Sequence, residues 1–251
     1  MGTARGFGVD IGGSGIKGCP VDVEGGVLAE ERLRISTPQP STPDAVADTV
    51  AEIVAKFGWE GPVGITLPCV IKNGTALTAA NVDEDWIDTD AQELFAKRLG
   101  RVREEIVMVN DADAAGLAEM RFGAGAERQG LVVVLTFGTG IGSSTFLNGQ
   151  LVPNTEFGHI EVDGRDAEEE AAASVKDNLE LTYEEWAPRV SRYVRTLERF
   201  LWPDLIIAGG GVSKKAHKWL PLLQTRTPIV PAKLKNDAGI VGAASAAAQH
   251  A

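Results

Sequence analysis

Asn110-Asp111 ends an apolar run (Glu105 to Val109) and opens an alanine-rich stretch (Ala114 to Met120). That pattern predicts a strand giving way to a helix. Open α/β sheets bind ligands at the carboxyl ends of their strands. An aspartate there, kept ionised by a helix N-terminus, can accept a proton from a hydroxyl. The plainer alternative is that Asp111, or Asp113 on its own, caps the helix's free N–H groups. Further on, Glu156-Phe157-Gly158-His159 sets a carboxylate and an imidazole three residues apart. Between them lies Gly138-Thr139-Gly140-Ile141-Gly142, after the apolar run Leu131 to Leu135. Such a turn brings bare backbone N–H groups close to a phosphate, because no Cβ blocks the approach.

Near the amino terminus, Asp10 closes a short strand (residues 6–11), and Gly12-Gly13-Ser14-Gly15 turns into a second (Ile16 to Val23) and a third (Val27 to Leu33). Strand–turn–strand excludes a dinucleotide fingerprint, which needs a helix directly after its glycines and a third glycine where Ile11 stands. No Gly-Lys-Ser/Thr follows, so a P-loop is excluded too. Two readings remain: a tight hairpin with an incidental Asp10, or Asp10 holding magnesium through water while the Gly12–Ser14 amides face phosphate oxygens. A third glycine turn, Gly209-Gly210-Gly211, ends the strand Asp204 to Ala208.

The elements that must position these residues follow from periodicity. Thr42-Pro43 predicts the start of a helix, with Thr42 as N-cap and Val46, Val50, Ile53 and Val54 on its apolar face. Residues 61–68 predict a strand ending in a loop, and Asn81 and Trp86 lie in the loop after a hairpin at 70–80. Residues 90–99 predict an amphipathic helix. A helix over 165–178 begins with Glu168, Glu169 and Glu170, of which dipole compensation explains at least two. Residues 183–201 predict a helix whose Trp186, Val190, Val194, Leu197 and Leu201 form a core stripe. A small-residue helix over 239–249 ends the chain. Two blocks begin with a glycine-turn strand unit, near 6 and near 131, without a convincing repeat in composition.

The chain has 251 residues, 44% of them hydrophobic, enough for one or two globular domains with a real core. A formal charge of −11 argues against a nucleic-acid or membrane-surface partner. It leaves room for a local anion pocket. Lys214, Lys215, Lys218, Arg226, Lys233 and Lys235 crowd one segment, either as a solvated face or as an anion groove. Cys19 and Cys69 make neither a disulfide framework nor a zinc site. With no leader pattern and no long apolar run, the expectation is a soluble cytoplasmic protein.

Taken together, DIGGS at 10–14, NDADA at 110–114, FGTGIG at 137–142, EFGH at 156–159 and AGGGV at 208–212 resemble the ROK family of sugar kinases. That family belongs to the actin-like, ribonuclease-H-like ATPases. SGIKG at 14–18, PNTEFGH at 153–159 and AAASVK at 171–176 are similar to its polyphosphate glucokinase branch. The resemblance implies an α/β fold of two domains around a cleft, 1–111 with 239–251 and 112–238, the last helix packing back on the first domain. It implies transfer of a phosphoryl group from polyphosphate, and possibly ATP, to the 6-hydroxyl of glucose, with magnesium. A strictly ATP-dependent glucokinase or a glucomannokinase is the alternative.

The resemblance also implies roles. Asp111 would be the general base and Asn110 would hold neighbouring hydroxyls. Glu156 and His159 would grip the sugar with one further glutamate, Glu168 in preference to Glu170, and Asn81 and the Gly64–Pro68 loop would line the rest. Gly12, Gly13, Ser14, Lys17, Gly138, Thr139 and Gly140 would surround the transferred phosphate, with Gly209, Gly210 and Gly211 meeting the remainder of the donor. Asp10 would serve the metal. Many ROK members carry a cysteine cluster after the Glu-x-Gly-His motif that binds structural zinc. Residues 160–178 contain no cysteine, so no structural zinc is expected. Family members are commonly homodimers.

Overall fold

The computed structural model describes residues 4–79 and 82–249. It separates into two compact units: the described residues up to Ala118 together with those from Asp237 onward, and Glu119–Asn236. In the first, β1 (Arg5–Gly12) and β2 (Gly15–Asp22) pair antiparallel across the Gly13-Ser14 turn. The expected third strand is two short ones, β3 (Val27–Leu28) and β4 (Leu33–Ile35), on different stretches of β2. Charged residues interrupt it: Arg32 pairs with Asp237, and Glu30 lies 3.8 Å from Arg5. Helix α1 (Pro43–Lys56) starts where Thr42-Pro43 predicts, but the Thr42 side chain makes no cap bond, so the proline's fixed φ sets the start. Then come β5 (Val63–Leu67), the hairpin β6 (Ile71–Lys72) and β7 (Thr75–Ala76), α2 (Ala91–Leu99), β8 (Ile106–Asn110) and α3 (Asp111–Phe122). Trp86 is fully buried, its indole N–H donating to the Ser41 carbonyl at 2.9 Å.

The second unit holds β9 (Leu131–Phe137), β10 (Ile141–Leu147) and β11 (Gln150–Val152), then the hairpin β12 (Glu161–Val162) and β13 (Arg165–Asp166). The helix expected over 165–178 is broken into α4 (Ala167–Ala171) and α5 (Ala173–Asn178), with Ala172 extended at φ −61° and ψ 156°. The Trp186 indole takes the Ala171 carbonyl (3.1 Å), and the Ser174 N–H goes to Gly138 O (3.0 Å), so neither group continues one helix. The long α6 (Tyr183–Leu201), β14 (Leu205–Gly209), α7 (Ala216–Trp219), β15 (Ile229–Pro231) and finally α8 (Ala238–Gln249) complete the chain.

The two main sheets have the orders β3-β2-β1-β5-β8 and β11-β10-β9-β14-β15. Each is a glycine-turn hairpin extended by two parallel strands, the ribonuclease-H-like pattern that the resemblance implies. The repetition that composition hides is plain in topology.

Strand alternation explains the first unit's glycines. Phe7, Val9 and Ile11 of β1, with Val63, Ile65 and Leu67 of β5, join Val46, Val50 and Ile53 of α1 in one core. The intervening Gly6, Gly8 and Gly64 face α8, whose backbone lies almost on the sheet. A Cβ on Gly8 would stand 2.0 Å from the Ile240 carbonyl oxygen, and one on Gly64 would stand 1.9 Å from that of Ala243. Gly64 is therefore a packing glycine in a buried strand, not part of a sugar-lining loop. Further along the same face of β1 comes Asp10, against Gly239 at the start of α8. No helix among the described residues is long and apolar enough to cross a membrane.

Overpacking of this kind costs about 1–3 kcal/mol. Gly64→Ala is expected to lower unfolding free energy by about that amount in denaturant titrations; unchanged stability would mean α8 does not lie against β5 as described.

Candidate active site

In the first unit, parallel pairing sets Asp10 beside Thr66 and Leu67 beside Asn110, so the functional residues share one edge of the sheet. The Asp10 carboxylate receives Lys17 Nζ at 3.1 Å, its cross-strand neighbour, and the Thr66 hydroxyl at 3.2 Å. Thr66 Oγ1 also accepts from the Ile11 N–H at 3.2 Å. Lys17, expected on phosphate, is thus held on Asp10. At the Gly12–Gly15 turn, Thr37 donates to the Gly12 carbonyl, and Arg34 donates to the Ser14 carbonyl at 2.9 Å with its guanidinium against Gly15. Sequence reasoning missed Thr37 and Arg34, and the contact of Thr66 with Asp10, because these bonds join segments apart in sequence. A cation at this turn suits an anionic ligand.

Asn110 decides how α3 begins. Its Oδ1 accepts from Ala112 N–H (2.9 Å) and Asp113 N–H (3.1 Å), and its Nδ2 donates to the Cys69 carbonyl (3.0 Å). The cap is therefore Asn110, not Asp113. Most of the Asn110 amide's hydrogen-bonding capacity is spent on backbone, which makes it a positioning residue for its neighbour. Asp111, first residue of the helix, accepts from Ala112 N–H through Oδ1 at 2.8 Å. Asn81 lies outside the described residues.

In the second unit, Phe137 packs edge-on against Trp186 and Trp219 (centroids 5.9 and 5.5 Å) beneath the glycine turn. Within residues 138–141, Gly138 N–H donates to Gly140 O (3.0 Å) and Ile141 N–H to Glu168 Oε2 (3.0 Å). The N–H groups of Thr139 and Gly140 enter no hydrogen bond among the described residues, so they remain for an anion. A Cβ on Gly140 would stand 2.2 Å from Glu168 Oε2, so a side chain there would displace that carboxylate. Gly210, at φ +79°, abuts the Phe137 backbone, which joins the third glycine turn to the second.

Glu156-Phe157-Gly158-His159 is a single 3-10 turn tied to β10. Phe157 N–H donates to Ser143 Oγ (2.8 Å), and a Cβ on Gly158 would stand 2.0 Å from the Ile141 carbonyl oxygen. His159 Nδ1 meets Asp166 Oδ2 at 3.0 Å, with Glu168 Oε1 at 3.9 Å. Asp166, also missed from sequence, leaves Nε2 as the outward-facing ring nitrogen. The two candidate glutamates have different surroundings. Glu168 stands at the glycine turn and His159, whereas Glu170 is engaged by Arg165 (2.7 Å) and Arg189 (3.0 Å). Burial pushes the Glu156 carboxyl above its usual range, His159 opposing and Glu168 reinforcing the rise. The bond to Asp166 holds His159 above its ordinary 6.5, against a smaller loss from burial. Two carboxylates and an imidazole in this arrangement can accept and donate hydrogen bonds to a polyol.

For metal, no group of three or more His, Cys, Asp or Glu among the described residues could hold an ion. Magnesium bound largely by phosphates and water needs only one or two carboxylates. Asp10, part-buried beside the turn, fits that role through water.

A ROK family model matches residues 6–175, and the chain belongs to the ROK family. It is 57% identical over 242 residues to the polyphosphate glucokinase of Mycobacterium tuberculosis (strain CDC 1551 / Oshkosh), covering 96% of this chain and 91% of that one. The inorganic polyphosphate/ATP-glucomannokinase from Arthrobacter sp. strain KM superposes with a TM-score of 0.94 at 49% identity, covering 99% and 100% of the two chains. A ROK family glucokinase from Streptomyces griseus, solved with glucose and AMPPNP, gives 0.81 at 24% identity over 98% and 100%, a likeness of fold.

His159's raised pKa means its pair with Asp166 stabilises the fold below the unfolded value near 6.5, and that contribution is lost as pH rises through the folded value. In Asp166→Asn, the His159 ring titration followed by NMR should shift downward; an unmoved titration would remove Asp166 as the partner. Only three histidines need assigning.

Proposed function

We propose that this chain is a polyphosphate glucokinase: it transfers a phosphoryl group from inorganic polyphosphate, or ATP, to the 6-hydroxyl of glucose. The observation that carries the reading is the 57% identity to a polyphosphate glucokinase along nearly the whole of both chains. Asp111, oriented by the Asn110 cap, accepts the proton of the 6-hydroxyl as its oxygen attacks phosphorus. Glu156, His159 and Glu168 hold the other hydroxyls. An epimer would leave one of these groups unpaired, which is how such sites select their sugar. The backbone of Gly12, Gly13 and Ser14, with Gly138, Thr139 and Gly140, receives the transferred phosphate, and Gly209–Gly211 meets the rest of the donor. Arg34 adds positive charge at the first turn. Asp10 would hold magnesium through water, and the ion would supply charge neutralisation on the phosphates. Lys17 holds the Asp10 carboxylate in place.

Mannose as a second substrate is the variant reading, supported by the Arthrobacter glucomannokinase at 49% identity. A homodimeric, cytoplasmic enzyme belongs to the same proposal and rests on the sequence reading.

The test is a coupled assay for glucose 6-phosphate with ATP and with polyphosphate, each with and without magnesium, and with mannose substituted for glucose. Glucose turnover with both donors is expected, and no product with either would refute the reading. In the same assay Asp111→Asn should lower kcat at least ~10²-fold, the scale of general-base contributions, with glucose binding retained. Near-normal turnover would leave Asp111 only a helix-end residue.

A further inference from the structure

We propose that the loops after β14 and β15 form a lysine track, Lys214 and Lys215 on one loop and Lys233 and Lys235 on the other. The track binds phosphates of an inorganic polyphosphate chain beyond the one being transferred. The assignment rests on the donor proposed above.

Its first support is charge. Residues 205–236 contain five lysines, one arginine and no aspartate or glutamate, in a chain whose net charge is −11. Lys214, Lys215, Lys233 and Lys235 are all exposed, and none has a carboxylate within 4.0 Å among the described residues. Clustered like charges repel, and a polyanion relieves that repulsion.

Its second support is placement. Strands β14 and β15 run parallel, Ala208 beside Pro231, so both loops leave the same edge of the sheet. The pairing continues past the strands: Ala232 N–H donates to Ala208 O at 2.9 Å, and a Cβ on Gly209 would stand 3.7 Å from that of Ala232. Lys233 therefore follows directly beside the third glycine turn.

Both loops are also fixed. The 3-10 turn Gly211–Lys215 is tied by the Trp219 indole N–H to Val212 O (3.3 Å). On the other loop, Leu234 N–H, between the two lysines, donates to Glu119 Oε1 at 2.7 Å. Glu119 is 1% exposed and its second oxygen accepts from Ala124 N–H at 2.8 Å. That carboxylate holds the loop's backbone and leaves the lysines uncompensated. Arg226 is excluded from the track, because it stacks on Trp202 (3.8 Å) and donates to Glu198 O. A nucleotide ends at three phosphates and a base, whereas polyphosphate continues. Lysines past the glycine turn therefore act chiefly on polyphosphate.

The test compares the full chain with the double variant Lys233→Gln/Lys235→Asn. Asparagine tolerates the φ of +54° at Lys235, and thermal unfolding checks the fold. KM for long-chain polyphosphate should rise about tenfold relative to KM for ATP. Counterion release predicts that the slope of log KM against log salt for polyphosphate falls by about 1.4, at roughly 0.7 for each of the two lost contacts. An unchanged ratio of the two KM values, in a wild-type protein that uses polyphosphate, would overturn the track alone. A wild-type protein that uses ATP but not polyphosphate would overturn the donor reading, and the track with it.

Discussion

Backbone N–H and C=O groups that leave the ladder at the end of a strand must find partners if they are buried. In this protein side chains close to the candidate site supply them. Asn110 pairs the first N–H groups of α3, Glu168 takes the N–H that opens β10, Trp186 takes the carbonyl before the α4–α5 break, Ser174 takes the Thr139 carbonyl in the glycine turn, and Glu119 holds the loop after β15. Each such bond ties down a loop, and phosphoryl transfer relies on groups that act mainly by position and charge. Structural satisfaction and chemistry are thus served by the same residues.

The same dual use explains the local charge pattern. Glu168 is spent on a backbone N–H at the glycine turn, yet its other oxygen lies 3.9 Å from His159 Nδ1. Asp166 both caps α4 and fixes the imidazole. Asp10 is balanced by Lys17 and packed beneath the first residues of α8. Carboxylates held this way stay in place without a dedicated metal cage.

Much of this was legible in the sequence, and the reason is geometric. Glycine turns, the Asn110-Asp111 junction and the Glu156–His159 motif are local patterns that the sequence displays, and the resemblance to the ROK family supplies the roles proposed for them. The resemblance set Gly64 in a sugar-lining loop, whereas the helix packed over it is nearly 180 residues away in sequence and no local pattern shows it. The alternation of Gly6 and Gly8 with Phe7 and Val9 could have signalled a close-packed helix, since the chain ends in one made of small residues. Thr66, Arg34 and Glu119 act through bonds between segments apart in sequence, which periodicity does not encode, and Asp166 reaches His159 only because the β12–β13 hairpin folds back. The break at Ala172 was hidden for the same cause: a tryptophan 14 residues further on takes the carbonyl before it.

The central claim is that Asp111 is the group that deprotonates the sugar. A crystal structure of the protein with glucose tests it most directly. The account predicts the 6-hydroxyl oxygen within roughly 2.6–3.2 Å of an Asp111 carboxylate oxygen, the reach of a general base. Glucose bound with its 6-hydroxyl on another side chain, and Asp111 turned away, would contradict it.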